Sequence, residues 1–101
     1  PRRTIFEAEN VWIGVVHGHR VGSSQELEYT AAEMDADLLV YGHSHKPSFA
    51  LRSVGLLNPG SPTNPRGYPP TYARLRFEDG RYEGSIIDLE NNDELISIEG
   101  E

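Results

Sequence analysis

Four histidines occur in these 101 residues, and they form two H-x-H pairs. His17 and His19 stand in "VVHGHRV", and His43 and His45 stand in "YGHSHKP". Each pair follows an apolar run, "VWIGVV" (11–16) in the first case and "LLVY" (38–41) with Gly42 in the second. Neutral imidazole is a common metal ligand. Imidazoles gathered without any cysteine suit Zn, Mn, Fe, Co or Ni rather than Ca or Mg. One H-x-H pair is as easily a loop cap or a coincidence. Two pairs that use every histidine, both at the ends of apolar runs, point to a metal role. A structural zinc site would favour cysteine, so an open, catalytic site is the better expectation. A simple His-rich metal-binding module remains the plainer alternative.

The elements around the pairs explain how they would meet. "VWIGVV" is nearly unbroken and of strand length, as expected for a strand buried on both faces. Ser23 and Glu26 then fit a capping box. Leu27, Ala31 and Met34 follow at helical spacing and make one stripe. "LLVY" is a second short strand. A connection of roughly 20 residues is long enough for a parallel crossover. In such a unit both strand C-termini lie on one edge of the sheet, where ligand sites of α/β sheets form. Residues i and i+2 of extended chain point to the same side, so His43 and His45 share a face. Gly18 and Gly42 allow tight turning and close approach. Trp12 and Met34 are expected in the core, and Lys46 on the surface.

Past Lys46 the pattern changes. "TIFEAE" (4–9) at the start, and "SFALRS" and "VGLLN" here, read as short strands. The segment 58–70, "NPGSPTNPRGYPP", holds five prolines and two glycines, so it is a long loop of the kind that is usually functional. "YARLRF" alternates, with Ala73, Leu75 and Phe77 opposite Arg74 and Arg76. Asp79-Gly80 signals a hairpin. "RYEGSIIDLE" returns and "ELISIE" adds a last strand. The expected fold class is α/β: a β-α-β crossover followed by an antiparallel meander.

Composition narrows the function classes. The net charge of −7 disfavours a nucleic-acid backbone or an anionic membrane as partner. No apolar stretch reaches the length of a membrane span, and "PRRTIFEAEN" lacks the core of a signal peptide. Absence of cysteine makes a cytoplasmic protein the default. Eight Arg against one Lys, in an acidic chain, suits either a salt-loving archaeon or a GC-rich genome.

The ordered set "VVHGHR", "ADLLVYGHSHKP" and "LLNPGSPTNPRG" resembles the C-terminal half of the calcineurin-like metallophosphoesterases. The nearest branch is that of the small YfcE-type phosphodiesterases, which includes the phosphoesterase-like subunit of retromer. The family pattern is H-G-H, then G-H-[ST]-H, then N-P-G-S. The resemblance implies a two-sheet sandwich flanked by helices, with a dinuclear metal centre at one edge. It implies that His17 and His43 bind one divalent ion and His45 the other, with Mn, Ni or Zn as the metals. Two ions about 3.5–4 Å apart can activate a hydroxide and polarise a phosphoryl oxygen for in-line attack. His19 would be the catalytic candidate, touching substrate or protonating the leaving group, or else hydrogen-bonding behind the ligands. Asn58, Gly60 and Ser61 match the N-P-G-S turn. Arg66 on the same loop would hold a phosphate oxygen or stand as a solvated charge. The substrate would be a small phosphate ester. A non-catalytic scaffold that binds a protein partner is the alternative.

The family also carries D-x-H, G-D-x-x-D and G-N-x-D, none of which occurs in these residues. Residues 1–101 are therefore expected to be a single partial domain, the C-terminal portion of one of roughly 160–180 residues. The intact protein would be the enzyme, and this part alone inactive. "VWIGVV", short of neighbours, would expose an edge that favours homo-oligomers or a partner half.

Overall fold

The computed structural model describes residues 2–17, 23–42, 46–63 and 66–101. The chain runs through β1 (Arg2–Ala8), β2 (Val11–His17), α1 (Ser24–Met34), β3 (Leu38–Tyr41), β4 (Ser48–Leu51), β5 (Gly55–Asn58), β6 (Thr71–Glu78), β7 (Arg81–Asp88) and β8 (Glu94–Gly100). A five-stranded sheet has the order β1-β2-β3-β5-β4, and a three-stranded sheet the order β6-β7-β8. β2, β3 and β5 are mutually parallel, while β1, β4 and the whole second sheet are antiparallel to their neighbours. This is the expected crossover followed by a meander. No helix among the described residues is long and apolar enough to cross a membrane.

Strand alternation divides the five-stranded sheet between two cores. Val11, Ile13, Leu38 and Leu57 meet Tyr82, Ile86 and Ile98 of the second sheet. Val16, Leu39 and Leu56 point the other way and meet Leu27, Ala31 and Ala36 of the helical side. Each fully buried Val, Leu or Ile among them stabilises by about 1.5–3 kcal/mol relative to exposure.

The helix begins as its sequence requires. Ser23 is in extended conformation, its hydroxyl accepts from the Glu26 N–H, and the Glu26 carboxylate accepts from the Ser23 N–H. The helix ends at Asp35, left-handed at φ 55, with its N–H donating to the Ala32 carbonyl at 3.2 Å and that of Ala36 to the Ala31 carbonyl at 2.9 Å. Those bonds satisfy carbonyls that a helix end would leave unpaired. On the outer turns of α1, Glu28 accepts from Ser53 Oγ and Arg52 Nε, both at 2.6 Å. The Ser53 and Arg52 hydrogen bonds hold its carboxyl below the usual range.

One residue sets the level of the parallel strands. The Asp37 N–H donates to the Trp12 carbonyl at 2.8 Å, and its carboxylate accepts from the Trp12 N–H at 2.9 Å. The Asp37 carbonyl accepts from the Gly55 N–H at 3.1 Å. The starts of β2, β3 and β5 are thereby tied together, so their far ends arrive at one edge.

Two expectations need correction. Trp12 is 44% exposed rather than core, because α1 covers Gly14 and Val16 on that face and stops short of Trp12. Met34 is half-buried against the helix-side core. β2 is not the strand that lacks neighbours: it pairs with β1 along its full length and with β3 on its other side. The edge belongs to β1, which joins β2 through a tight turn at Glu9 and Asn10, both at positive φ. Asp79 and Gly80 make the matching turn between β6 and β7, also at positive φ. The two turns dock, with the Gly80 N–H donating to the Glu9 carbonyl at 2.7 Å.

Candidate functional site

The three parallel strands end together. Val16 lies opposite Tyr41, and Val40 opposite Leu57, so Val16, Tyr41 and Asn58 form the last full row of the sheet. One residue further, the same register sets His17 level with Gly42 and Pro59. His17 is exposed as the last residue of β2. The chain enters the second H-x-H pair directly after Gly42. His19, His43 and His45 lie outside the described residues.

Asn58 is 1% exposed and ends β5. Ser48 lies opposite it on β4, and Tyr41 Oη lies 3.2 Å from Ser48 Oγ. A polar row therefore lines the strand ends at the margin of the helix-side core. The Asn58 side-chain oxygen accepts from the Gly60 N–H at 3.0 Å. Gly60 is left-handed at φ 78, and a Cβ there would overlap Thr71 Oγ1 and press on Pro47. Only glycine fits that turn without strain.

Thr71 completes it from the far side of the loop. Its hydroxyl donates to the Pro59 carbonyl at 2.8 Å, and its N–H donates to the Ser61 carbonyl at 3.1 Å. The long loop thus leaves and returns at one neck beside Asn58, in the manner of an Ω-loop. Ser61 is half-buried at the neck, and Arg66 is exposed on the excursion with φ 51. Lys46 is exposed, as expected. Thr71, Tyr41 and Ser48 shape this edge, and Asp37 ties the strands at the opposite one, without any of them having stood out in the sequence. Their single polar groups act through long-range pairings that short motifs do not display.

The donor chemistry at the edge fits a divalent ion: an imidazole on an open strand end, with no thiolate anywhere in the chain. Among the described residues, no three His, Asp or Glu side chains gather into a metal cluster. The described part of the edge therefore presents one candidate ligand, His17.

Comparison with known proteins agrees with this architecture. The family model for the calcineurin-like phosphoesterase superfamily domain matches residues 1–80. A probable metallophosphoesterase of Methanothermobacter thermautotrophicus is 40% identical over 90 residues, covering 86% of this chain and 52% of that protein. The structure of a predicted phosphoesterase from Streptococcus pneumoniae superposes with a TM-score of 0.79 at 30% identity, over 99% of this chain and 62% of that one. The structure of Entamoeba histolytica Vps29 complexed with Zn²⁺ superposes with a TM-score of 0.81 at 24% identity, over 96% of this chain and 59% of that one. The chain spans about half the length of the curated relatives that it matches. Carrying this match over most of its length, the chain belongs to the calcineurin-like phosphoesterase superfamily.

Proposed function

We propose that the intact protein is a metal-dependent phosphoesterase that hydrolyses small phosphodiesters or phosphomonoesters with two divalent ions, Mn, Ni or Zn. The observation that carries this reading is the common edge of β2, β3 and β5, which sets His17 level with Gly42 and one residue ahead of His43. His17 and His43 would hold one ion and His45 the other. The chemistry that bound ions supply here is activation of water and polarisation of a phosphoryl oxygen. His19 is the proposed proton donor to the leaving group. Arg66 is proposed to grip a phosphate oxygen through its guanidinium fork. Gly60 already donates its N–H to Asn58, so its proposed part is to hold the N-P-G-S turn that aims Ser61 and the loop at the substrate. The net charge of −7 favours a small ester over a long nucleic acid.

A scaffold without catalysis is the second reading, favoured by the fold shared with Vps29. Hydrolysis separates the two. The full-length protein should release nitrophenol from bis(p-nitrophenyl) phosphate with Mn²⁺, Ni²⁺ or Zn²⁺, and His43→Ala should abolish the release. No turnover under any of these metals would leave the scaffold reading standing and end the enzymatic one.

A further inference from the structure

β1 is the outermost strand of the five-stranded sheet and is paired on one side only among the described residues. Natural edge strands are commonly blunted by a proline, a bulge or charged side chains. β1, Arg-Arg-Thr-Ile-Phe-Glu-Ala, has neither proline nor bulge: its register with β2 is unbroken over seven residues, and its charged residues Arg2, Arg3 and Glu7 leave the centre, Thr4 to Phe6, uncharged. Ile5 is 40% exposed and Phe6 49%, with Trp12 at 44% on the neighbouring strand.

Directly opposed residues of an antiparallel pair share a face. Arg3, Ile5 and Glu7 face the helical side with Val16, Gly14 and Trp12, while Thr4 and Phe6 face the other sheet with Val15 and Ile13. We propose that β1 is a dimerisation strand, pairing antiparallel with β1 of a second copy about a two-fold axis through Ile5. In that register Arg3 faces the partner's Glu7, Thr4 faces the partner's Phe6, and Ile5 faces the partner's Ile5. Both symmetric charge pairs are then attractive. A register centred on Thr4 or Phe6 instead sets Arg3 or Glu7 against Ile5, so charge selects the Ile5 centre. The axis keeps both copies of α1 on one face, and the two five-stranded sheets become one continuous sheet. The contact is isologous and closes, giving dimers and no fibres.

Within one copy, Arg3 also reaches Glu33 at 3.6 Å, but both side chains are exposed and such pairs hold weakly. A single seven-residue strand pair is a small interface, so the dimer is concentration-dependent.

Sedimentation equilibrium over a concentration series tests it, on this chain and on the full-length protein. The wild type should show a monomer–dimer equilibrium. Arg3→Glu alone and Glu7→Arg alone each oppose like charges at both symmetric pairs and should weaken association about tenfold or more. The double variant, Arg3→Glu with Glu7→Arg, should regain wild-type association. Circular dichroism confirms that each variant is folded, and Glu7→Arg leaves Glu33 untouched. A wild type that stays monomeric, as when another segment covers β1, overturns the proposal. So does a dimer indifferent to both single swaps, or a double variant that does not recover.

Discussion

The Asn58 side-chain oxygen accepts a hydrogen bond from the Gly60 N–H at 3.0 Å, at the point where β5 ends and the long loop begins. With Thr71 bound to the carbonyls of Pro59 and Ser61, this bond fixes the turn beside the ends of β2 and β3. A buried amide thus serves the backbone of the site edge, and the loop that carries Arg66 starts from a rigid neck.

Gly60→Ala should therefore be costly. The residue sits at φ 78 with Thr71 Oγ1 where the Cβ would lie. Left-handed strain and overlap together should destabilise the fold by roughly 1–3 kcal/mol. Urea unfolding should show a lower midpoint with an unchanged slope. Thr71→Val removes the donor to the Pro59 carbonyl and should cost about 1–2 kcal/mol.

Much of the fold was legible in the sequence, because it rests on local chemistry. Ser23 with Glu26 announced the helix start, Asp79-Gly80 the hairpin, and the two apolar runs the parallel pair. The failures are tertiary. "VWIGVV" reads as buried throughout, but burial of Trp12 depends on how far α1 reaches, which no period in the strand encodes. The Glu9–Asn10 turn is written only in the tolerance of asparagine for positive φ. Asp37 looks like any loop carboxylate until its bonds to Trp12 appear.

Tyr82 should give the fold an alkaline limit. Its ring is 2% exposed, wedged where a side chain on Gly55 or Gly100 would have to stand, and its hydroxyl has no hydrogen-bond partner among the described residues. Burial, and then the Asp37 carboxylate, push its pKa up from 10.0 to about 12. Above about pH 10 the unfolded phenol loses its proton while the folded one keeps it, so stability is complete below pH 10 and falls as pH rises to about 12. The loss should be on the order of 2 kcal/mol. Tyr82→Phe removes both the unpaired hydroxyl and the titration. It should be as stable as the wild type or more so at pH 7, and should lose this step in denaturation curves taken between pH 9 and 12.

Ser23→Ala should shorten the life of the helix start. It deletes the hydroxyl that accepts from the Glu26 N–H and should cost about 1 kcal/mol. Hydrogen exchange should speed first at the amides of the first helical turn, with the sheets unaffected.

Metal is proposed to bind at the edge where β2, β3 and β5 end. Paramagnetic broadening of backbone amides by Mn²⁺ tests it directly. Resonances of His17, Gly42 and Gly60 should broaden at low Mn²⁺, those of Gly55 and Gly100 at the opposite edge should stay sharp, and His43→Ala should remove the effect. Broadening centred on Glu99 and Glu101, or broadening unchanged by His43→Ala, would contradict it.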